Sequence, residues 1–194
     1  RITGASATRV LNAVDASVEA GLQVKLNAVI MRGLNDKGLI DLLEYAAETR
    51  VAIRFLEMMP IGPAAQEFSR RYISGADMMR RIAQRVSLHP LPHSRGATSR
   101  DFLARWPDGR GAVCGFILPT STPFCEGCRR LRLSADGALL GCLAQPERLD
   151  LDAAVAAAEA GNLEPIRNGV ATALAVKERR QAFEAQCAMV RIGG

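Results

Sequence analysis

Aromatic residues are scarce in this chain: one Trp, two Tyr and six Phe make up 5% of its 194 residues. Surfaces that stack nucleic-acid bases interleave aromatic with basic side chains, so this scarcity argues against a nucleic-acid partner. Basic residues do not run together either. Lys and Arg total 25 against 20 Asp and Glu, and the net charge of +5 permits an anionic substrate without demanding nucleic acid. No apolar stretch reaches membrane-spanning length, which excludes a transmembrane helix and gives no reason to expect a membrane partner. There is no internal repeat and no secretory signal. Five cysteines is an odd number, and with no signal a reducing, cytoplasmic compartment is expected rather than a disulfide framework. What remains is an ordinary globular composition, 48% hydrophobic and 23% charged.

Periodicity divides the chain in two. Residues 8–20 place Leu11, Val14 and Val18 on one helical face, with Gly21 as a stop. The run Val24 to Met31 has the length and β-branching of a buried strand. A loop at 32–36 leads to a helix bearing Leu39, Leu42, Leu43 and Ala46, then Val51 to Met58 reads as a second buried strand. A helix over about 75–86 carries Met78, Met79, Ile82 and Val86. This alternation predicts parallel βα units over 1–86. From 87 to 194 the character changes. His89-Pro90-Leu91-Pro92-His93 reads as a stiff loop, DFLARW and AVCGFIL form a hairpin about Pro107-Asp108-Gly109, and an alanine-rich helical tail spans about 150–187. The predicted class is α/β units followed by an α+β extension. Two parallel strands are too few to close a sheet or barrel, so further strands are expected before residue 1, and the start at Arg1 rather than Met agrees with that.

Chemistry concentrates in FCEGCRRLRLSADGALLGC. Cys125 and Cys128 form a Cys-x-x-Cys pair, and Cys142 follows after a hairpin-sized gap. Arg130 to Leu133 alternates polar and apolar like a strand, and Asp136-Gly137 is a turn signal, so a hairpin returns Cys142 beside the pair. Structural zinc takes four protein ligands, whereas an iron–sulfur cluster can leave one iron open. Spacing alone leaves both metals open. Period-two counting from Cys128 puts Arg130 and Arg132 on the metal-facing side and Leu131 and Leu133 on the other. Two guanidiniums beside thiolates suit an anionic, phosphorylated ligand.

The run VKLNAVIMRGLND, then RFLEMMPIG, then the cysteine motif, then the terminal Ile192-Gly193-Gly194 resembles the C-terminal portion of the GTP 3′,8-cyclase family. These are radical S-adenosylmethionine enzymes that open molybdenum cofactor (molybdopterin) biosynthesis. The resemblance runs nearly end to end and implies an incomplete (β/α)6 barrel followed by a cluster-bearing extension. It implies that Cys125, Cys128 and Cys142 hold a 4Fe–4S cluster whose open iron binds the guanine of GTP. It further implies that Arg130, Leu131 and Arg132 form a GTP-contacting stretch, that Lys25 meets the nucleotide, and that Met59 contacts S-adenosylmethionine. Arg54 resembles an active-site arginine, and Gly193 and Gly194 the family's terminal Gly-Gly. The family often dimerises, so a homodimer is the expected assembly, with a cyclic pyranopterin synthase downstream in the pathway. Cys114, Cys187 and the two histidines match no ligand position.

The Cys-x-x-x-Cys-x-x-Cys motif that makes the family's radical is absent from these 194 residues. The expectation is therefore a substrate-binding half that does not turn over by itself. Two rivals stand beside it. One is a zinc-ribbon-like module that binds nucleic acid or protein without catalysis. The other is a peptide-modifying radical enzyme, whose extension would carry more cysteines.

Overall fold

The computed structural model describes residues 6–94, 96–125, 128, 130–143, 147–175 and 177. The chain divides into two compact units, residues 1–57 with 72–121, and residues 58–71 with 122–194. The first is organised by three strands that pair in parallel. Strands β1 (Lys25–Val29), β2 (Ala52–Leu56) and β5 (Gly111–Ile117) lie side by side, with β2 in the middle. Strands β3 (Ser87–Pro90) and β4 (Ser99–Arg105) extend the sheet antiparallel, in the order β1-β2-β5-β4-β3. The sheet is therefore mixed, and residues 87–117 share it with the βα units instead of standing apart. The β4–β5 hairpin turns at Pro107-Asp108-Gly109 as its sequence predicts. The expected stiff loop at His89-Pro90 is instead an edge strand. Proline is compatible there because an edge strand has one side without ladder partners.

Helices α1 (Ala7–Glu19), α2 (Leu39–Thr49) and α4 (Gly75–Ile82) belong to the same unit. Helix α1 is capped by Ser6, whose Oγ accepts from the Thr8 N–H, and α4 by Ser74, whose Oγ accepts from the Asp77 N–H. Ion pairing between Arg81 and Asp36 (3.0 Å) ties α4 to the loop that follows β1. One sheet face packs Ile53, Phe55, Cys114, Phe116 and Ala104 into a cluster with Leu39, Leu43, Ala46, Met78 and Ile82. Phe55 and Phe116 are register partners 5.8 Å apart, and Phe102 meets Phe116 edge-on at 5.7 Å. Each such buried aromatic contributes roughly 1.5–3 kcal/mol by burial. Helix α1 departs from its expected pattern. Val14 is buried, but Leu11 and Val18 are 41% and 39% exposed, because no described element covers that side.

The other sheet face carries a row of polar residues among apolar ones such as Leu56, Val113 and Ile117. Register aligns Asn27, Arg54, Gly115 and Asp101 in one row across four strands, with Lys25 two residues along β1 on the same face. A Cβ at Gly115 would collide with Ser99 Oγ and Asp101 Oδ1 and press on the Arg54 stem.

The second unit holds α3 (Ala64–Arg71), unforeseen in the sequence, then a small antiparallel sheet in the order β6-β7-β8. Its strands are β6 (Arg132–Leu133), β7 (Ala138–Leu140) and β8 (Leu149–Asp150). The described part of the alanine-rich tail forms two helices, α5 (Asp152–Glu159) and α6 (Glu164–Ala175), separated at Gly161-Asn162.

Replacing Gly115 with alanine is expected to destabilise the chain by about 1–3 kcal/mol, the usual range for overpacking. Urea unfolding checks this, and an unshifted midpoint would contradict the crowding described.

Candidate functional site

The cysteine hairpin forms where its turn residues place it. Gly137, at φ +78°, lets the chain reverse, with its N–H on the Ser134 carbonyl (3.1 Å) and the Ser134 N–H on the Ala138 carbonyl (2.9 Å). Ser134 Oγ accepts from the Ala138 N–H (3.1 Å), and Arg148 clamps Asp136 at 2.6 Å. Register pairs Arg132 with Leu140 and Leu133 with Leu139. At the other end the Cys128 N–H donates to the Cys125 carbonyl (3.1 Å), closing the tight loop expected of Cys-x-x-Cys. The alternation of Arg130 to Leu133 carries less structure than expected. The paired part of β6 is two residues long, and Leu133 is 66% exposed. Burial falls on the central strand β7 instead, where Ala138, Leu139 and Leu140 are all buried. Gly141 lies so close to the Ala173 carbonyl that α6 leaves no room there for a side chain.

Cys128 sits among positive charge. Lys177 Nζ is 3.5 Å from its Sγ and an Arg130 Nη is 3.9 Å away. Lys177 also donates to the Arg130 carbonyl, and the Arg130 guanidinium lies 5.8 Å over the Phe124 ring. Burial works to raise the thiol's pKa, but the Arg130 N–H and the charges of Lys177 and Arg130 outweigh it, so the pKa falls below the ordinary thiol value. Cys114 is the opposite case: burial in the sheet core pushes it up to about 12. The donor chemistry of the hairpin suits a thiolate-held metal group, since Cys125, Cys128 and Cys142 lie on one motif and one of them is electrostatically held toward thiolate. Among the described residues, no three His, Cys, Asp or Glu groups are close enough together to form a metal-holding set.

The remaining expected residues fall elsewhere. Lys25 and Arg54 share the polar face of the first unit's sheet. Lys25 is exposed and its side chain makes no hydrogen bond or ion pair among the described residues, while Arg54 faces Asp101 at 3.7 Å, with side chains 26% and 35% exposed. Met59 belongs to the second unit and is half-buried, its carbonyl accepting from the Ile61 N–H (2.9 Å). Arg130 is exposed, and Leu131 and Arg132 are half-buried. Gly193, Gly194 and Cys187 lie outside the described residues. The cysteines with Arg130, Leu131 and Arg132 thus gather on one hairpin, and Lys25 with Arg54 on one sheet face.

Three residues escaped the sequence reading. Asp101, two positions from Ser99 on β4, steadies Arg54, and its Oδ1 accepts a hydrogen bond from Ser99 Oγ. Lys177, one cation among several in the tail, carried no signal. Glu57 did carry one, a lone carboxylate inside an apolar strand run. It is 2% exposed and accepts from the Gly75 N–H (2.7 Å), the Tyr72 hydroxyl (3.0 Å), the Thr120 N–H (3.0 Å) and the Ser121 N–H (2.8 Å). Burial, then the nearby Glu57 charge, push the Tyr72 phenol up to about 12.

The family described as Molybdenum Cofactor Synthesis C matches residues 51–183. The GTP 3′,8-cyclase of Synechocystis sp. is 37% identical over 142 residues, covering 73% of this chain and 42% of that protein. The GTP 3′,8-cyclase of Saccharophagus degradans is 35% identical over 177 residues, covering 90% of this chain and 52% of that protein. For the GTP 3′,8-cyclase of Paracoccus denitrificans the identity is 32% over 177 residues, with 91% and 50% covered. The chain spans about half the length of the curated relatives it matches. No described helix is long and apolar enough to cross a membrane.

In the metal-free chain at neutral pH, Cys128 is expected to alkylate faster than Cys114, and Lys177→Ala should slow Cys128 selectively. Mass-spectrometric rates across pH check this. Equal rates in the variant and the parent would remove Lys177 from the account.

Proposed function

The chain belongs to the Molybdenum Cofactor Synthesis C family, and from that premise we propose that it is the substrate-binding half of a GTP 3′,8-cyclase. The observation that carries the reading is the hairpin motif that bears Cys125, Cys128 and Cys142, with Cys128 against Arg130 and Lys177, inside the span that matches the family. In this reading the first unit is part of an incomplete (β/α)6 barrel and the second is the extension that holds a 4Fe–4S cluster. When bound, the cluster supplies a Lewis-acidic iron for the guanine, and S-adenosylmethionine supplies the radical that makes (8S)-3′,8-cyclo-7,8-dihydroguanosine 5′-triphosphate.

The chain's own residues bind and orient. Cys125, Cys128 and Cys142 are the cluster ligands, and the Arg130 N–H and the charges around Cys128 lower its pKa, toward the ligating thiolate. Arg130 and Arg132 offer guanidinium forks to phosphate oxygens, and Leu131 between them contributes backbone contact. Lys25 and Arg54 present two more cations on the polar sheet face, with Asp101 limiting where the Arg54 guanidinium swings. Met59 contacts S-adenosylmethionine, and Gly193 and Gly194 approach the nucleotide. The protein's contribution is placement and charge rather than new covalent chemistry.

Anaerobic reconstitution of the chain with ferrous iron and sulfide is expected to yield about four irons per chain and a broad brown absorbance. One tightly held zinc without iron uptake would overturn the cluster and favour a binding module. In the enzyme assembled from both halves, Arg132→Ala removes a charge-assisted hydrogen bond worth roughly 1.5–3 kcal/mol. GTP binding should then weaken by at least about tenfold, measured by calorimetry, and an unchanged affinity would take Arg132 out of the site.

A further inference from the structure

Helix α6 has one buried residue, Ala173, and it lies in the last turn. The helix is 12 residues long and carries Gly169 near its middle, so it is marginal by itself and depends on docking. That docking is deepest at its C-terminal turn, which meets both limbs of the cysteine motif. On one limb, Gly141 follows β7 and precedes Cys142. A Cβ at Gly141 would overlap the Ala173 carbonyl and crowd the Ala173 Cα, backbone atoms with no rotamer to turn away. On the other limb, Lys177 donates to the Arg130 carbonyl and lies 3.5 Å from Cys128 Sγ. Cys125 goes with that limb, because the Cys128 N–H closes on its carbonyl (3.1 Å).

The hairpin ladder does little to hold these limbs together. It ends at the pair Arg132 and Leu140, short of both Cys128 and Cys142 among the described residues. A ladder of two pairs is weak without packing behind it. Where it stops, the end of α6 takes over: Ala173 and Lys177 are four positions apart in sequence and touch one limb each.

We propose that Ala173 and Lys177, at the end of α6, brace the thiol motif. They hold the limb of Cys125 and Cys128 in fixed relation to the limb of Cys142, and so set how readily the thiols take up a metal group together. Lys177 and Gly141 are then positioning residues. The metal part rests on the cyclase reading, while the bracing does not. A charge that acts on Cys128 alone is felt at Cys128 alone, whereas a brace carries a change at one limb to the other.

The test uses the 194-residue chain with its Lys177→Met, Lys177→Arg and Gly141→Ala variants. Site-resolved amide exchange comes first. In the metal-free parent, the amides of Ala173, Leu174 and Ala175 should exchange no faster than those at the middle of α6, although helix ends ordinarily fray. Faster exchange at the end would overturn the inference without any variant. Lys177→Met should speed those amides at least about tenfold, the effect of one lost charge-assisted hydrogen bond. Lys177→Arg should restore part of the protection, since a guanidinium can donate to the same carbonyl. Alkylation then reads the far limb: in Lys177→Met, Cys142 should react faster while Cys128 reacts more slowly. An unchanged Cys142 would reduce Lys177 to a local charge and overturn the brace. Gly141→Ala is the converse probe and should speed exchange of the Arg130 amide; exchange there at the parent rate in a folded variant would also overturn it. If Gly141→Ala does not fold, Lys177→Met decides through Cys142. Exchange along α5 should stay at the parent rate in Lys177→Met, and equal acceleration of α5 and α6 would mean a merely structural role and refute the proposal.

Metal uptake is the last readout. After reconstitution with ferrous iron and sulfide, Lys177→Met should bind less iron than the parent and Lys177→Arg should recover part of the difference. Loading the parent should further slow exchange at the end of α6, as reciprocal linkage requires. Undiminished uptake in Lys177→Met would refute the metal part. If the parent itself takes up no iron, the cyclase reading fails, and the brace is judged on exchange and Cys142 alkylation in the metal-free chain.

Discussion

Strand β2 is the constraint on which the first unit depends. It is hydrogen-bonded in parallel on both edges, to β1 and to β5, so every register in the sheet is set relative to it. Parallel pairs join only through crossovers, which here are α2 with its preceding 3-10 turn and the long excursion from 57 to 111. Alternation along five residues then assigns the rest. Ile53 and Phe55 face the apolar cluster, Arg54 faces the polar side, and the residue after the strand is the buried carboxylate Glu57. A one-residue slip would send Arg54 into the cluster and Phe55 to solvent, a change no local rearrangement could offset. The core and the cationic face are therefore products of a single register.

Parallel strands are usually buried on both sides. In β1 the burial alternates instead, with Lys25, Asn27 and Val29 exposed between Leu26 and Ala28. The sequence VKLNAV contains that alternation, but its β-branched content outweighed it and the run read as fully buried. Other differences have the same kind of cause. The pairing of β3 to β5 with the βα units depends on contacts far apart in sequence, to which local periodicity is blind. Helix α3 has no buried residue to give it an apolar stripe. Helix α1 shows the reverse, an apolar stripe with only Val14 covered. What local chemistry determined was legible: the β4–β5 turn, the Asp136-Gly137 turn, the apolar stripes of α2 and α4, and the cysteine spacing.

The candidate site divides along the same line. Cys125, Cys128 and Cys142 are visible because ligand type and spacing are local properties, whereas Lys25 and Arg54 were named only through the family resemblance. Asp101 and Lys177 were not visible, since each matters through a partner 47 or 49 residues away. Glu57 shows where the reading stopped short. A carboxylate between Leu56 and Met58 in a strand run must either face solvent or gather donors, and the second alternative was available from sequence logic alone.

The balance at Cys128 explains why neighbouring cations are needed if a thiolate is to be available. Partial burial disfavours the anion, and without compensation this thiol would move in the direction Cys114 takes. Two unit charges near 4 Å attract by about 1 kcal/mol in water and about 4 kcal/mol at an effective dielectric near 20. Arg130 is exposed, so its share lies toward the lower figure, and Lys177 and the Arg130 N–H must supply much of the rest. That division fits the geometry, because Lys177 lies nearer the sulfur and its hydrogen bond to the Arg130 carbonyl keeps it there. A cation held by the backbone loses little further freedom when it meets the sulfur, whereas a free surface lysine would give up several rotamers to reach the same position. The overall charge of +5 is therefore a poor guide to this chemistry. What lowers the thiol's pKa is first the Arg130 backbone N–H, and then the Lys177 amine fixed to the Arg130 carbonyl.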